Sequence, residues 1–108
     1  MAISISVVVP VYNEEGNIGR LFDEIRSVCE AGMDGVPFDY EIIIVNDGST
    51  DGTDRICRGL CPLTYIQFRK NYGQTSALDC GFKAATKSFV AALDGDGQND
   101  PADIPGML

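Results

Sequence analysis

Four short apolar runs punctuate the chain: "ISVVV" beginning at Ile5, "YEIIIV" at 40–45, "LTYIQF" at 63–68 and "SFVAAL" at 88–93. Each is rich in β-branched or aromatic residues and too short for a typical helix, so each predicts a strand. "YEIIIV" is apolar almost throughout, the pattern of a strand buried on both faces of a parallel sheet. "LTYIQF" alternates instead, which places it nearer a sheet edge. Helical spacing fills the gaps. Ile18, Leu21, Phe22, Ile25, Val28 and Cys29 recur along one helix face. Asn13 is expected to cap that helix, with Glu14 and Glu15 in its first turn and Gly32 at its stop. A shorter helix is expected over about 52–58, ended by Gly59. A third runs from about Gln74 to Thr86, with Ala77, Leu78, Gly81, Phe82 and Ala85 on one side. Gly81 costs that helix roughly 1 kcal/mol against Ala. Close approach to a sheet would be a reason to keep it.

The order is therefore β-α-β-α-β-α-β, followed by a helix start at Asp100 and Pro101. This alternation predicts an α/β fold with a mainly parallel, doubly wound sheet and helices on both faces. No repeat or linker interrupts it, and the longest loop is "AGMDGVPFD" at 31–39. The chain stops soon after its last helix opens. The expectation is that residues 1–108 are the N-terminal part of a longer domain, cut after the fourth strand.

Composition narrows the partners. Eight Lys plus Arg against sixteen Asp plus Glu give a net charge of −8, which argues against nucleic acid. A phosphorylated small ligand would need a metal cation or local Lys/Arg to neutralise it. The absence of His excludes a His₂Glu zinc site and a Ser-His-Asp triad within this chain. Cys29, Cys57, Cys61 and Cys80 form no Cys-x-x-Cys pair and are expected to be free, buried thiols of a reducing compartment. The start "MAISISVVVP" lacks the basic region of a signal peptide, and no apolar run approaches the ~20 residues of a membrane span. A cytoplasmic location is the expectation, with any membrane contact peripheral or made by sequence outside this chain.

In an open parallel sheet, ligands bind beyond the carboxyl ends of the strands. The segments that follow the four strands are "PVYNEE" (10–15), "NDGSTDGT" (46–53), "RKNYGQ" (69–74) and "DGDGQND" (94–100). Taken singly, "PVYNEE" and "RKNYGQ" read as an ordinary turn and a solvated loop, and "NDGSTDGT" reads as readily structural as functional. All four on one edge offer carboxylates for a metal and, through Arg69 and Lys70, a cationic corner. Asp94 and Asp96 are the sharpest pair, two apart directly after a strand. Close carboxylates raise each other's pKa unless a cation lies between them. Aspartate and amide oxygens suit Mg²⁺ or Mn²⁺. No G-x-x-x-x-G-K-[ST] or G-x-G-x-x-G occurs, and neither Asp47 nor Asp94 opens a complete calcium loop.

Together, "VVVPVYNEEGNI", "IIIVNDGSTDGT", "RKNYGQTSALDCGF" and "LDGDGQNDP" resemble family 2 glycosyltransferases of the GT-A fold, and among them the polyprenyl- and dolichyl-phosphate sugar transferases. The match covers essentially the whole chain, in order. The resemblance implies that Pro10, Tyr12 and Glu14 line a nucleotide pocket. It implies that Val45 and Asp47 recognise the base, the carboxylate accepting from a ring N–H. Arg69, Asn71 and Gly73 match an R-x-N-x-G segment near the nucleotide and donor sugar. Asp94, Asp96 and Gln98 match a D-x-D-x-Q metal site that grips the diphosphate, Asp94 serving both nucleotide and metal. Gly97 departs from the bulkier apolar residue usual there.

The implied reaction is inverting transfer of a sugar from a UDP- or GDP-linked donor, assisted by Mg²⁺ or Mn²⁺, with a polyprenyl phosphate as acceptor. Alternatives are a saccharide hydroxyl as acceptor, whose catalytic base would lie beyond Leu108, and a non-catalytic nucleotide-binding module. A phosphatase of the haloacid dehalogenase type also places D-x-D after a strand, but continues differently at the position of Gln98. These residues alone are expected to bind a nucleotide and to show little or no transfer. Full-length protein is expected at the cytoplasmic face of a membrane. Self-association is a further expectation, because a truncated sheet exposes apolar surface.

Overall fold

The computed structural model describes residues 2–95 and 100–108. Strand β1 spans Ser4–Val11, helix α1 Ile18–Ala31, β2 Asp39–Asn46, α2 Thr53–Arg58, β3 Thr64–Gln67, α3 Gln74–Ala84 and β4 Phe89–Ala92, before a 3-10 helix over Pro101–Met107. The four strands form one sheet in the order β3-β2-β1-β4, and every pairing is parallel. The chain steps outward from β1 to β2 to β3. Helix α3 then carries it back across the sheet to β4 on the other side of β1. The strand order thus reverses between β1 and β4, where open α/β sheets form their ligand crevice.

The buried pattern of β2 follows from its place beside β1. Ile42 and Ile44 pack on one face with Leu21, Phe22 and Ile25 of α1, Cys57 of α2 and Ile104 of the 3-10 helix. Ile43 and Val45 pack on the other with Val8 and Ala77 of α3. Full burial of each large aliphatic side chain contributes about 1.5–3 kcal/mol. The alternating third strand is an edge, and its residues are half-buried or exposed.

Helix α3 approaches the sheet through small residues. Ala77 and Gly81 are buried, one turn apart, while Leu78 and Ala85 are half-buried and Phe82 is 47% exposed. Sequence periodicity places Phe82 on the inner face; the structure turns it outward because the close contact is made by Ala77 and Gly81. A Cβ on Gly81 would stand 2.3 Å from Cγ1 of buried Val8, which accounts for glycine inside a helix.

Two helix ends differ from expectation for non-local reasons. Asn13 does not cap α1. It adopts φ 53°, and its side-chain oxygen accepts from the Thr50 N–H at 2.8 Å. Helix α1 starts only at Ile18, so Glu14 and Glu15 precede it. Helix α3 ends at Ala84 rather than Thr86, because the Thr86 N–H and hydroxyl donate to the Glu41 carboxylate at 2.7 and 2.8 Å. Gly32 ends α1 as expected, its N–H donating to the Val28 carbonyl. Asp100 caps the 3-10 helix by accepting from the Ala102 N–H at 2.9 Å.

The four cysteines are free thiols. Burial, followed by a neighbouring carboxylate, pushes Cys29 and Cys57 up to about 11, so neither supplies a thiolate nucleophile near neutrality. Cys61 is exposed, against expectation, because it lies beyond the end of α2. Among the described residues no helix is long and apolar enough to cross a membrane.

Gly81→Ala adds a methyl where no room exists. It is expected to lower the unfolding free energy by about 1–2 kcal/mol, overpacking outweighing the gain in helix propensity. Val8→Ala in the same protein opens that space, so denaturant titration of the double variant should show a loss smaller than the sum of the single ones.

Candidate functional site

An open cleft lies beyond the carboxyl ends of β1, β2 and β4, at the point where the strand order reverses. Pro10 and Val11 at the end of β1, with Tyr12 and Glu14 just beyond it, form one wall. Asp47 comes from the end of β2, Gln74 from the start of α3, and Asp94 and Gly95 from the end of β4. The cleft thus gathers Pro10, Tyr12, Glu14, Asp47 and Asp94 from the expected nucleotide set. Val45 lies elsewhere: it is fully buried in the core between Ile43, Val8 and Ala77. Arg69 and Asn71 are exposed and outside the lining, and Gly73 is half-buried beside Asp47. Asp96 and Gln98 fall outside the described residues.

Asp47 organises one side of this cleft. It is 4% exposed, and a carboxylate so buried must be hydrogen-bonded. Oδ1 accepts from the Tyr72 N–H at 2.7 Å and Oδ2 from the Gly73 N–H at 3.0 Å. The Asn71 amide donates to the Asp47 carbonyl at 3.3 Å, and the Asp47 N–H donates to the Val11 carbonyl at 2.8 Å. Three chain segments, the ends of β1 and β2 and the 71–73 loop, are therefore tied at one residue. Two backbone donors do not exhaust a carboxylate, whose oxygens offer about four acceptor positions. The following Gly48 has φ 72°, and a Cβ there would stand 2.2 Å from the Lys70 carbonyl carbon. Glycine at this position is what lets the 69–73 loop close down on β2.

The rest of "NDGSTDGT" is largely scaffold. Fully buried Asn46 accepts from the Ser49 N–H and hydroxyl, and donates to the Tyr65 hydroxyl at 3.0 Å. Tyr65 in turn donates to Asp54 at 2.7 Å. The loop after β1 is stitched to this segment. The Asn13 N–H donates to the Ser49 hydroxyl at 2.8 Å, and the Glu14 N–H to the Thr53 hydroxyl at 2.9 Å. The Gly52 N–H donates to the Glu15 carboxylate at 3.2 Å. Burial pushes Asp51 up, but the hydroxyl and N–H of Thr53 and the Glu15 N–H outweigh it and hold its carboxyl below the ordinary value. The Tyr65 hydroxyl and Arg58 hold Asp54 below its ordinary value too.

Glu14 accepts from the Asn17 amide at 2.9 Å, and half-buried Asp94 accepts from the Gln74 amide at 3.1 Å. The polar side chains of the lining are the carboxylates of Glu14, Asp47 and Asp94, the Gln74 amide and the Tyr12 hydroxyl. Such a donor set fits a hard divalent cation, Mg²⁺ or Mn²⁺, held by one or two carboxylates with water and phosphate oxygens completing the shell. Among the described residues no three His, Cys, Asp or Glu side chains cluster to hold a metal on their own. Val11, Gln74 and Gly95 also line the cleft, and sequence reasoning did not single them out. The only signal for Gln74 was its place at the end of the "RKNYGQ" segment.

The family model described as glycosyl transferase family 2 matches residues 6–108. This chain belongs to that family. Among curated relatives, a dodecaprenyl-phosphate galacturonate synthase of Rhizobium johnstonii is 38% identical over 99% of the chain and 32% of its own length. An undecaprenyl-phosphate 4-deoxy-4-formamido-L-arabinose transferase of Aeromonas hydrophila is 36% identical over 96% of the chain and 32% of its own length. The chain thus spans about a third of the length of these relatives. Among solved structures, a mannosyltransferase from Pyrobaculum calidifontis in complex with GDP-Man and Mn²⁺ superposes with TM-score 0.74 at 28% identity, covering 89% of this chain and 28% of that one. TarS 1–349 of S. aureus with UDP gives TM-score 0.71 at 30% identity, covering 87% of this chain and 28% of that one. The all-parallel sheet of this family 2 glycosyltransferase chain and these likenesses bear out the expected GT-A fold.

Two substitutions test the brace at Asp47. Asp47→Asn replaces one of the two acceptors by a donor facing a backbone N–H. A stability loss of about 1–3 kcal/mol is expected, with faster amide exchange at Tyr72 and Gly73. Gly48→Ala should cost at least as much and show the same exchange pattern, since both changes release the same loop.

Proposed function

We propose that this chain is the nucleotide-sugar-binding part of an inverting glycosyltransferase that passes a sugar from a nucleotide diphosphate to a polyprenyl phosphate at the cytoplasmic face of a membrane. The observation that carries the reading is the convergence of Pro10, Tyr12, Glu14, Asp47 and Asp94 on one cleft at the β1/β4 reversal. The names of the curated relatives supply the acceptor class.

Each residue has work that its position suits. Tyr12, 44% exposed at the cleft, presents a ring face on which a base stacks. Asp47 retains acceptor capacity for a ring N–H, which both uracil and guanine provide. Pro10 and Glu14 complete the wall on the β1 side. Val45 contributes from the core, by seating α3 beneath the loop that Asp47 holds. Asn71 and Gly73 fix that loop through their bonds to Asp47, and Arg69 brings positive charge to the same segment. Asp94, with Asp96 and Gln98, would hold Mg²⁺ or Mn²⁺. A divalent cation so held acts as a Lewis acid and offsets charge on the leaving diphosphate.

The acceptor's chemistry decides what else is needed. A phosphate monoester has a second pKa of about 6, so its oxygen is already anionic near neutrality and attacks without a strong base. Attack on the face opposite the diphosphate inverts the anomeric centre.

Calorimetry with UDP and GDP, in Mn²⁺ and in EDTA, tests the donor side. Asp94→Asn is expected to weaken Mn²⁺-dependent nucleotide binding at least tenfold while leaving the EDTA value unchanged. Equal binding by the variant would overturn the assignment of this cleft. On the acceptor side, a full-length protein that glycosylates a saccharide hydroxyl and ignores polyprenyl phosphate would contradict the reading.

A further inference from the structure

We propose that Gln74 is a positioning residue that fixes the direction of the Asp94 carboxylate, and that Asp47 enables this by anchoring the start of α3. The proposal rests on the reading of Asp94 as a metal- and diphosphate-binding residue. Leu93 donates its N–H to the Val8 carbonyl at 3.0 Å, the last sheet bond before the chain leaves β4. Asp94 therefore stands where the sheet no longer dictates side-chain direction. The Gln74 amide meets it there, Nε2 to Oδ1 at 3.1 Å. A carboxylate accepts only, so the amide nitrogen is the end that faces it.

Gln74 is itself held from the opposite side of the cleft. It is the first residue of α3. Gly73 before it has φ 104° and ψ 157°, outside helical geometry, and its N–H is bound to Asp47 Oδ2. The route from β2 to β4 thus runs through Asp47, Gly73, Gln74 and Asp94, all by direct bonds.

The residue type fits this role better than a helix-start preference would. Helix first turns favour acidic residues, yet α3 has none in its first turn. An acid at this position would repel Asp94 and remove the donor. A lysine would orient Asp94 but compete with a cation for its charge. A neutral amide orients the carboxylate and leaves its charge in place. Partners of this kind, which bond to a metal ligand rather than to the metal, typically change metal affinity by about 10–100-fold when removed.

The test compares wild type, Gln74→Met, Asp94→Asn and the double variant by calorimetry. The readout is the ratio of UDP or GDP affinity in Mn²⁺ to that in EDTA, with thermal midpoint as a folding control. Gln74 is exposed, and Met keeps its length and helix propensity, so the fold should persist. Gln74→Ala serves as a second variant lacking the donor. Gln74→Met is expected to lower the ratio tenfold or more, with the EDTA affinity unchanged and no further loss once Asp94→Asn is present. A smaller fall, while Asp94→Asn abolishes the Mn²⁺ effect, overturns the role of Gln74 and leaves the reading of Asp94 standing. An undiminished Mn²⁺ effect in Asp94→Asn removes the reading of Asp94 and this proposal with it.

Discussion

A negative charge buried at the end of β2 has to be met by donors, and the carboxylate of Asp47 is met by the backbone of a loop distant in sequence. Its two oxygens take the N–H groups of Tyr72 and Gly73. Bonds to an ionised acceptor are stronger than neutral ones, and the buried setting raises the penalty for losing them. The consequence travels. Fixing Gly73 fixes where α3 begins, α3 covers one face of the sheet, and α3 leads into β4. The pairing of β2 and β4 to β1 sets the two far rims of the cleft, and Asp47 adds a second link between them through the start of α3.

The sheet's two faces solve different packing problems. On the α1 face, large side chains such as Phe22, Leu21 and Ile25 fill the space between helix and strands. On the α3 face, Ala77 and the bare backbone of Gly81 meet Val8 and Val45 directly. A helix lying that close brings its first residue, Gln74, within hydrogen-bonding reach of Asp94. A bulkier residue at position 81 would have to push Val8 or α3 aside, so the helix's unfavourable glycine follows from this close approach.

What could be read from the sequence divides along the same line between local and distant causes. Strands β1 to β4 were legible because burial imposes a short-range pattern that side-chain periodicity reports. The edge position of β3 was legible in its alternation. The start of α1 was not, because Asn13 takes its conformation from Thr50 and Ser49, residues distant in sequence. Nor was the outward turn of Phe82, which depends on how closely Gly81 approaches Val8. The cleft residues Pro10, Tyr12, Glu14, Asp47 and Asp94 were reached by combining strand-end logic with family resemblance. Val45 matched the same motif, and its side chain packs in the core with Val8 and Ala77. Gln74 escaped notice because a glutamine after a glycine at a helix start looks like any solvated residue. Its significance lies in a partner twenty residues away.

The distribution of donors around the cleft bears on how a diphosphate would be received. Glu14 accepts from the Asn17 amide, Asp47 from two backbone N–H groups and Asp94 from the Gln74 amide among its partners. A neutral donor sets a carboxylate's direction without cancelling its charge, whereas an arginine or lysine would do both. A chain of net charge −8 with such a lining repels a nucleotide diphosphate at long range. Under the proposed function, a divalent cation relieves that repulsion, and it can do so only if the carboxylates keep the charge that attracts it. The hydrogen bonds that build the loops and the negative potential that a metal would need are then products of the same choice of neutral partners.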